Sequence, residues 1–408
     1  MSYPDHACSA ESLQTEGYTC AMKRYIPILL TVGFALFALV ILLIVTQMRS
    51  IPISQAADVS NRLRIAAVGD VLLGGRVQTP AERVAESEPL LHVASVLGSA
   101  DVAFCNLECP ISARGTPTPL KTPGDIAAKR EFLFRGIPEA AKVLESAGFD
   151  VVSLANNHIL DYGEDALDDT VTHLSLVNIK HCGAGKDLEA ARTPAVVRVG
   201  DTRIAFLSYV WSGTLPGTQF FEVGRPGSGC VMLHTHEKGA LSEESAEILA
   251  EDLRAARALA DFVIVSVHWG IERMHRPRPW QRKLARIMID SGADVIIGHH
   301  PHVLQGIELY NGKPIMYSLG NFVFPSIRDA NNDSCIALLT LESGYGFLEI
   351  KPVRIQDGIP RLATGEESMR IGRFIASLSS ELGTAATVRQ DGTLFVPLAS
   401  KYAPPQEP

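Results

Sequence analysis

Six short polar clusters stand at the ends of apolar runs in this sequence, and their side chains are the ones that could do chemistry. Gly69-Asp70 follows Leu63–Val68, Asn106-Leu107-Glu108 follows Asp101–Cys105, and Asn156-Asn157-His158, with Asp161 three residues on, follows Asp150–Ala155. Further along, His268-Trp269-Gly270 follows Phe262–Val267, Gly298-His299-His300-Pro301-His302 follows Asp294–Ile297, and Gly320-Asn321 follows Ile315–Leu319. Each is weak alone, because a Gly-Asp after a strand is usually a turn or a cap and a lone histidine is usually a hydrogen-bonded core residue. Three imidazoles within four residues, His299, His300 and His302, are harder to explain structurally. Together the clusters offer carboxylates, carboxamides and imidazoles with no cysteine, a donor set that suits Mn, Fe or Zn. The set exceeds what one tetrahedral ion needs, so one or two divalent ions are expected, with a bound water activated for attack on phosphorus or a carbonyl.

Positioning these clusters requires a sheet. The spacing predicts strands at Leu63–Val68, Asp101–Cys105, Asp150–Leu154, Val196–Val199, Arg203–Tyr209, Phe262–Val267, Asp294–Ile297 and Pro314–Ser318. It predicts helices at Ala81–Leu97, Pro138–Ala147, Asp165–Leu176, Ser242–Ala260 and Trp280–Ser291. The apolar runs are short, rich in Val and Ile and bounded by Gly, Asn and Asp, as for strands buried on both faces. Alternation of strand and helix through residue 300 implies an α/β fold with a largely parallel sheet. After Pro314 the pieces Ile315–Leu319, Ile336–Leu341 and Gly346–Ile355 read as antiparallel. In an open α/β sheet ligands bind beyond the carboxyl ends of the strands, where all six clusters lie. The Gly- and Pro-rich stretch Gly213–Gly229 reads as a long loop, and His234-Thr235-His236 after it as surface or lid residues. The basic run from Arg273 to Arg278, with Arg273 and Arg276, could hold an anionic substrate near His268.

Composition narrows the class. The 408 residues are 46% hydrophobic and 20% charged, which excludes a wholly disordered chain. With 45 acidic against 37 basic side chains and a net charge of −8, a nucleic-acid partner is not expected. The mean hydropathy of +0.13 is high for a soluble protein. Its source is the run between Arg24 and Arg49, 24 residues without a charge and long enough as a helix to cross a bilayer. A cleaved signal peptide is the rival reading, since Ser54-Gln55-Ala56 resembles a cleavage site, but the run is longer than a signal's apolar core. The expected organisation is a tail at 1–24, a transmembrane anchor at 25–48 in the lipid bilayer and a linker at 49–61. One domain at 62–358 follows, then an extension at 359–400 packing on it and a disordered tail at 401–408. The domain is expected outside the cytoplasm, on a single-pass anchor of the cell membrane. The seven cysteines show no metal-cage spacing and read as buried small hydrophobes.

At these motifs the sequence resembles the CapA/PgsA family of poly-γ-glutamate and capsule biosynthesis, which looks like a divergent branch of the calcineurin-like metallophosphoesterases. The matching segments are Gly69–Gly74, Asn106–Glu108, Ser153–Gly163, Gly183–Gly185, His268–Gly270, Gly298–Val303 and Tyr317–Phe322, spanning residues 63–325. The resemblance implies a four-layer α-β-β-α sandwich of two mixed sheets. It implies Asp70, Glu108, Asn157, His268, His300 and His302 as metal ligands, and His158 with Asp161 behind it as the catalytic pair. Whether Asn156 or Asn157 faces the metal rests on analogy; Asn156, His299, Arg273, Arg276 and Asn321 are candidate substrate contacts. Phosphoesterases place a histidine two residues after the first aspartate, where this chain has Leu72, and commonly an aspartate where it has Glu108. The implied function is a membrane-anchored, metal-dependent hydrolase acting on an anionic polymer or phosphoester. The alternative is a non-catalytic subunit of a poly-γ-glutamate synthesis or export complex.

Overall fold

The computed structural model describes residues 62–74, 88–128, 130–214, 229–235, 241–324, 332–342 and 345–398. The chain opens with strands β1 (Leu63–Val71), β2 (Val102–Leu107), β3 (Val151–Ser153) and β4 (Lys180–Cys182), with helices α1 (Ala94–Leu97), α2 (Pro123–Ala127), α3 (Ala140–Ser146) and α4 (Glu164–Leu176) between them. These four strands pair in sequence, all parallel. A short pair, β5 (Ala184–Gly185) with β8 (Gly229–Cys230), and helix α5 (Leu188–Arg192) lead into a second sheet.

That sheet contains β6 (Ala195–Val199), β7 (Thr202–Trp211), β9 (Met232–Leu233), β10 (Phe262–His268), β11 (Val295–His299), β12 (Ile307–Tyr310) and β13 (Lys313–Met316). Its order is β12-β13-β11-β10-β7-β6, with β9 beside β7, and the run from β13 to β7 is parallel. Helices α6 (Glu243–Leu259) and α7 (Pro279–Asp290) provide the crossovers. Ser242 caps α6 by accepting from the Ser245 N–H, Glu243 and Glu244 suit the positive end of its dipole, and Leu249, Leu253 and Ala256 form its buried stripe. In α7, Pro279 occupies the first turn, where its missing N–H costs nothing, and Leu284, Ala285, Met288 and Ile289 face inward.

The chain then returns to the first sheet through β14 (Asn321–Val323), β15 (Asp333–Glu342), β16 (Tyr345–Gln356) and β17 (Ile359–Leu362). Helix α8 (Gly365–Glu381), β18 (Thr387–Val388) and β19 (Leu394–Leu398) complete it, in the order β18-β19-β16-β15-β1-β2-β3-β4, with β14 beside β1 and β17 beside β16. The fold is mixed α/β, with parallel and antiparallel strands in both sheets. Ile65 and Phe104 of the first sheet share one apolar cluster with Ile204, Phe206 and Ile264 of the second. The Phe104 and Phe206 rings stack with centroids 5.3 Å apart. Full burial of each such ring contributes about 1.5–3 kcal/mol. A second cluster joins the other face of the first sheet to Leu97, Leu144 and Leu167 of its helices, and a third joins the second sheet to Leu253 and Met288.

Three differences from the sequence reading have physical causes. Of the helix expected over 81–97, the described part is a 3-10 turn at Glu88–Leu90 followed by α1, because Pro89 cannot continue an α-helical ladder. The piece expected to be an antiparallel strand at Ile315–Leu319 is split. Ile315 and Met316 pair in parallel with β11, and the chain then leaves that sheet, so that Asn321 pairs in parallel with Asp70 on β1. Helix α8 has no counterpart among the expected helices, although Ile371, Ile375 and Leu378 recur at helical spacing. Cys105, Cys109, Cys182, Cys230 and Cys335 are all buried free thiols, whose burial raises their pKa. Among the described residues no helix is long and apolar enough to cross a membrane, and the anchor expected at 25–48 lies outside them.

Candidate metal centre

Parallel pairing brings the strand ends together. Asp70, at the end of β1, is in register with Asn106 on β2 and with Asn321 on β14, and His268 of β10 is in register with His299 of β11. Close approach at this edge depends on Gly69, where an added Cβ would sit 1.9 Å from the Gly320 carbonyl oxygen. The Asp70 N–H donates to that same oxygen at 3.0 Å.

Asp70, Glu108 and His302 each offer a donor atom, and the three atoms lie within 4.8 Å of one another. His302 Nδ1 is 3.5 Å from Asp70 Oδ2, and its Nε2 is 3.8 Å from Glu108 Oε1. His268 Nε2 is also 3.8 Å from Glu108 Oε1 and 3.1 Å from His300 Nδ1. Asp70 and Glu108 are fully buried, and neither Glu108 oxygen has a hydrogen-bond partner among the described residues. Asn157 Oδ1 is likewise buried without a partner. Buried carboxylates without donors are costly, and a divalent cation is what this arrangement fits. The loop that carries the imidazoles stores backbone strain, with φ of 93° at His300 and 56° at His302.

The electrostatics follow from this crowding. Burial would raise the Asp70 pKa, but hydrogen bonds and charge from His299 and His302 outweigh it and hold the carboxyl well below the usual range. Glu108 lacks that compensation, so burial and the neighbouring Asp70 push it well up. Burial opposes a charge on His302, yet Glu108 and Asp70 lift its pKa to about 10. Burial, with the electrostatic influence of His300, depresses His268 well below its usual value, and burial, with that of His302, depresses His300 to about 3. A ligand must be a neutral imidazole, so a bound cation would take the place of the extra His302 proton.

His158 sits beside this cluster. Its Nδ1 is 2.8 Å from Asp161 Oδ2, and its ring lies 4.2 Å from that of Phe134. Burial, with the Lys121 charge, lowers its pKa to about 4.

The remaining predicted contacts divide. Asn156 is buried, and its amide donates to Asn106 Oδ1 and the Leu107 carbonyl, which places it behind the site rather than against a substrate. His299 is buried near Phe104, with Nδ1 3.2 Å from Asp70 Oδ1, so it too faces inward. Asn321 is buried with Oδ1 2.9 Å from His302 Nδ1, and it holds a candidate ligand instead of a substrate. Arg276 is drawn off to a two-pronged pair with Glu381, at 2.6 and 2.7 Å. Arg273 is exposed beside the histidine loop, its N–H donating to the Pro301 carbonyl at 2.7 Å. His234 is exposed, and His236 lies outside the described residues.

Two further residues belong here. Asn106 Nδ2 donates to Asp70 Oδ1 at 2.9 Å and lies 3.4 Å from His268 Nδ1, inside the Asn106–Glu108 segment that marked this strand end. Lys121 is buried against His158 and Asp161, and nothing in its Thr- and Pro-rich surroundings signals it.

This fold and site define a mixed α/β protein with a buried carboxylate–imidazole cluster at its strand ends. Residues 64–326 match the family described as bacterial capsule synthesis protein PGA_cap. The chain belongs to that family, the CapA/PgsA family whose motifs it resembles. It is 30% identical over 348 residues to the capsule biosynthesis protein CapA of Bacillus anthracis, covering 84% of this chain and 79% of that one. It is 31% identical to the PGA biosynthesis protein CapA of Bacillus subtilis, covering 81% of each chain. A probable polyglutamine synthesis accessory protein of Mycobacterium tuberculosis is 34% identical, over 73% of this chain and 77% of that one.

Proposed function

We infer that this protein is a metal-dependent hydrolase of the phosphoesterase kind that works in making capsule, poly-γ-glutamate or a related envelope polymer. The observation that carries the hydrolase reading is the meeting of Asp70, Glu108 and His302 donor atoms within 4.8 Å, with the buried Glu108 carboxylate making no hydrogen bond among the described residues. The named relatives support the polymer. In this reading Asp70, Glu108 and His302 would hold one ion, and Asn157, His268 and His300 would serve a second. A bound Mn, Fe or Zn ion supplies Lewis acidity and lowers the pKa of water toward about 7. His158, backed by Asp161, exchanges a proton with the reacting group, Phe134 shields that face from water, and Arg273 meets an anionic substrate. The shared cluster of Phe104 and Phe206 supports reading the two sheets and their helices as a four-layer sandwich. Residues 25–48 anchor the domain outside the cytoplasm.

A second reading has one observation of its own. Leu72, where phosphoesterases carry a ligand, is 1% exposed and packed in the core, so no imidazole comes to the cluster from that residue. A non-catalytic subunit of a polymer synthesis or export complex would tolerate that loss.

The purified full-length protein should contain Mn, Fe or Zn in stoichiometric amount, and the His300→Ala, His302→Ala double variant should lose it. Equal metal in both sinks the metal assignment. Polymer made normally by a deletion strain carrying Asn157→Ala and His158→Ala selects the non-catalytic subunit.

A further inference from the structure

Between Arg273 and Ile289 the chain carries six basic side chains, Arg273, Arg276, Arg278, Arg282, Lys283 and Arg286, and no aspartate or glutamate. The net charge of the molecule is −8, so a positive field is a local matter, and this segment is where a polyanion could settle. The segment starts beside the histidine loop, where the Arg273 N–H donates to the Pro301 carbonyl, and it runs onto the outer face of α7. On that face an open cleft of about 430 Å3 is lined by Pro279, Arg282, Lys283, Arg286, Ile287 and Asp290.

Arg282 and Arg286 stand four residues apart on α7, about 6 Å along its axis, and one buried carboxylate fixes both. Glu308, 3% exposed, accepts from Arg282 Nε and Nη2 at 3.1 and 3.2 Å and from Arg286 Nε at 3.0 Å, and it pairs with Arg286 Nη2. The Arg286 guanidinium also lies 5.0 Å from the centre of the Tyr310 ring. The inner edges are held in this way, while Nη1 of each guanidinium makes no hydrogen bond among the described residues. Both side chains keep an outward surface, 35% exposed for Arg282 and 41% for Arg286. Lys283 beside them is exposed and makes no ion pair among the described residues. Asp290, the acidic group of the cleft, is engaged by the Tyr310 hydroxyl at 3.0 Å and Asn311 Nδ2 at 3.1 Å. Three cations therefore stand against two carboxylates, one of them buried behind.

The occupant this surface fits is a chain of carboxylates. Guanidinium groups held on a rigid helix match planar anions, and their positions are set before anything binds. No exposed large apolar side chain lies on α7 for insertion into a bilayer, and its one aromatic ring, Trp280, stacks on Trp211. That leaves no free aromatic face for nucleobases.

We propose that the outer face of α7, continued by Arg278 toward the histidine loop, is a docking surface for a polycarboxylate of the poly-γ-glutamate kind. This rests on the polymer part of the proposed function and needs neither metal nor hydrolysis.

Fluorescence anisotropy of labelled poly-γ-glutamate, titrated with the purified full-length protein in the presence of a chelator, reads the binding. The wild type should bind, with an affinity that falls as salt rises. The double variant Arg278→Glu, Lys283→Glu leaves the Glu308 cage in place and should bind about tenfold more weakly. Lys142→Glu with Lys180→Glu makes the same change in net charge at exposed positions on α3 and β4 of the first sheet, and should bind as the wild type does. Thermal melts check that each variant folds. Should the first double variant unfold, Lys283→Ala removes only an exposed ammonium and should weaken binding about twofold to threefold. A wild type that binds no polymer overturns the proposal. So does an equal loss in the two double variants, or a folded Lys283 variant that binds as the wild type does. Tighter binding of polyphosphate with the same dependence on Lys283 would make the occupant a phosphate polymer and overturn the polycarboxylate. A protein that binds the polymer through α7 but takes up no metal defeats the hydrolase reading alone, and a metal-loaded protein without affinity for the polymer defeats this proposal alone.

Discussion

Asn321 and Asp70 face each other in register on adjacent parallel strands, and both address His302. Asn321 Oδ1 lies 2.9 Å from Nδ1 of that imidazole, and Asp70 Oδ2 lies 3.5 Å from the same nitrogen. With Nδ1–H engaged by the carboxamide, Nε2 is the nitrogen turned to Glu108. Outer partners that orient a ligand in this way typically contribute 10–100-fold in metal affinity. Asn321→Ala should therefore weaken Mn2+ binding by about that factor while the circular dichroism spectrum stays the same. Calorimetric titration with Mn2+ gives the number, and an unchanged Kd would show that the carboxamide does not orient His302.

Glu108 brings a second expectation. Its carboxylate is buried beside Asp70 without a hydrogen-bond donor among the described residues, an unfavourable arrangement that a bound cation would relieve. Mn2+ at 100 times its Kd should add about 2.7 kcal/mol to folding stability, and a chelator should remove it. Glu108→Gln should be at least as stable as the metal-free wild type and should show no rise in Tm with Mn2+. Thermal melts of both proteins, with Mn2+ and with chelator, make the comparison; equal shifts would remove Glu108 from the ligand set.

How much of this was legible in the sequence follows from how each residue is placed. Asp70, Glu108, His268 and His302 are readable because short apolar runs end sharply in polar residues, and parallel pairing then gathers the ends. Asn321 was readable as a strand-end residue, but its role was not. That role depends on the chain changing sheets between Met316 and Asn321, and periodicity is blind to which sheet a strand joins. Lys121 lies 36, 37 and 40 residues from the three groups it touches, in a loop without a repeating pattern, so only tertiary structure reveals it. The C-terminal helix α8 carries a helical stripe, yet its glycines and serines dilute the signal.

Backbone strain at the histidine loop separates two substitutions that sequence would treat alike. His300 has φ of 93°, a region that costs a residue with a Cβ about 1–3 kcal/mol and a glycine little. His300→Ala loses the imidazole and keeps the strain, whereas His300→Gly loses both. The glycine variant should be more stable than the alanine variant by roughly 1–2 kcal/mol, after its greater unfolded-state entropy is allowed for. Both should bind Mn2+ less tightly than the wild type. Denaturant unfolding of the two proteins, metal-free, tests this, and an alanine variant as stable as the glycine variant would mean that the loop relaxes once the ring is gone.

A pH-dependent contribution is expected away from the site, at Glu308. Its side chain is 3% exposed and accepts from Arg282 Nε at 3.1 Å, Arg286 Nε at 3.0 Å and the Tyr317 hydroxyl at 2.7 Å. Burial would raise its pKa, but the bonds from Arg282, Tyr317 and Arg286 outweigh it and hold the carboxyl below its ordinary value. A carboxyl depressed in the folded state binds fewer protons there than in the unfolded chain, so it stabilises the fold above the unfolded pKa of about 4.3. That contribution fades as the pH falls through the folded value. Glu308→Gln keeps the shape and removes the charge, and near neutral pH it should cost about 1.5–3 kcal/mol, the range for hydrogen bonds to a charged group. The gap between the two proteins should hold steady from pH 7 to about 5 and narrow below about 4. Unfolding curves for both proteins across that range measure the gap directly, and a gap that widens toward acid would reverse the sign and exclude an ionised Glu308 as the source of the stability.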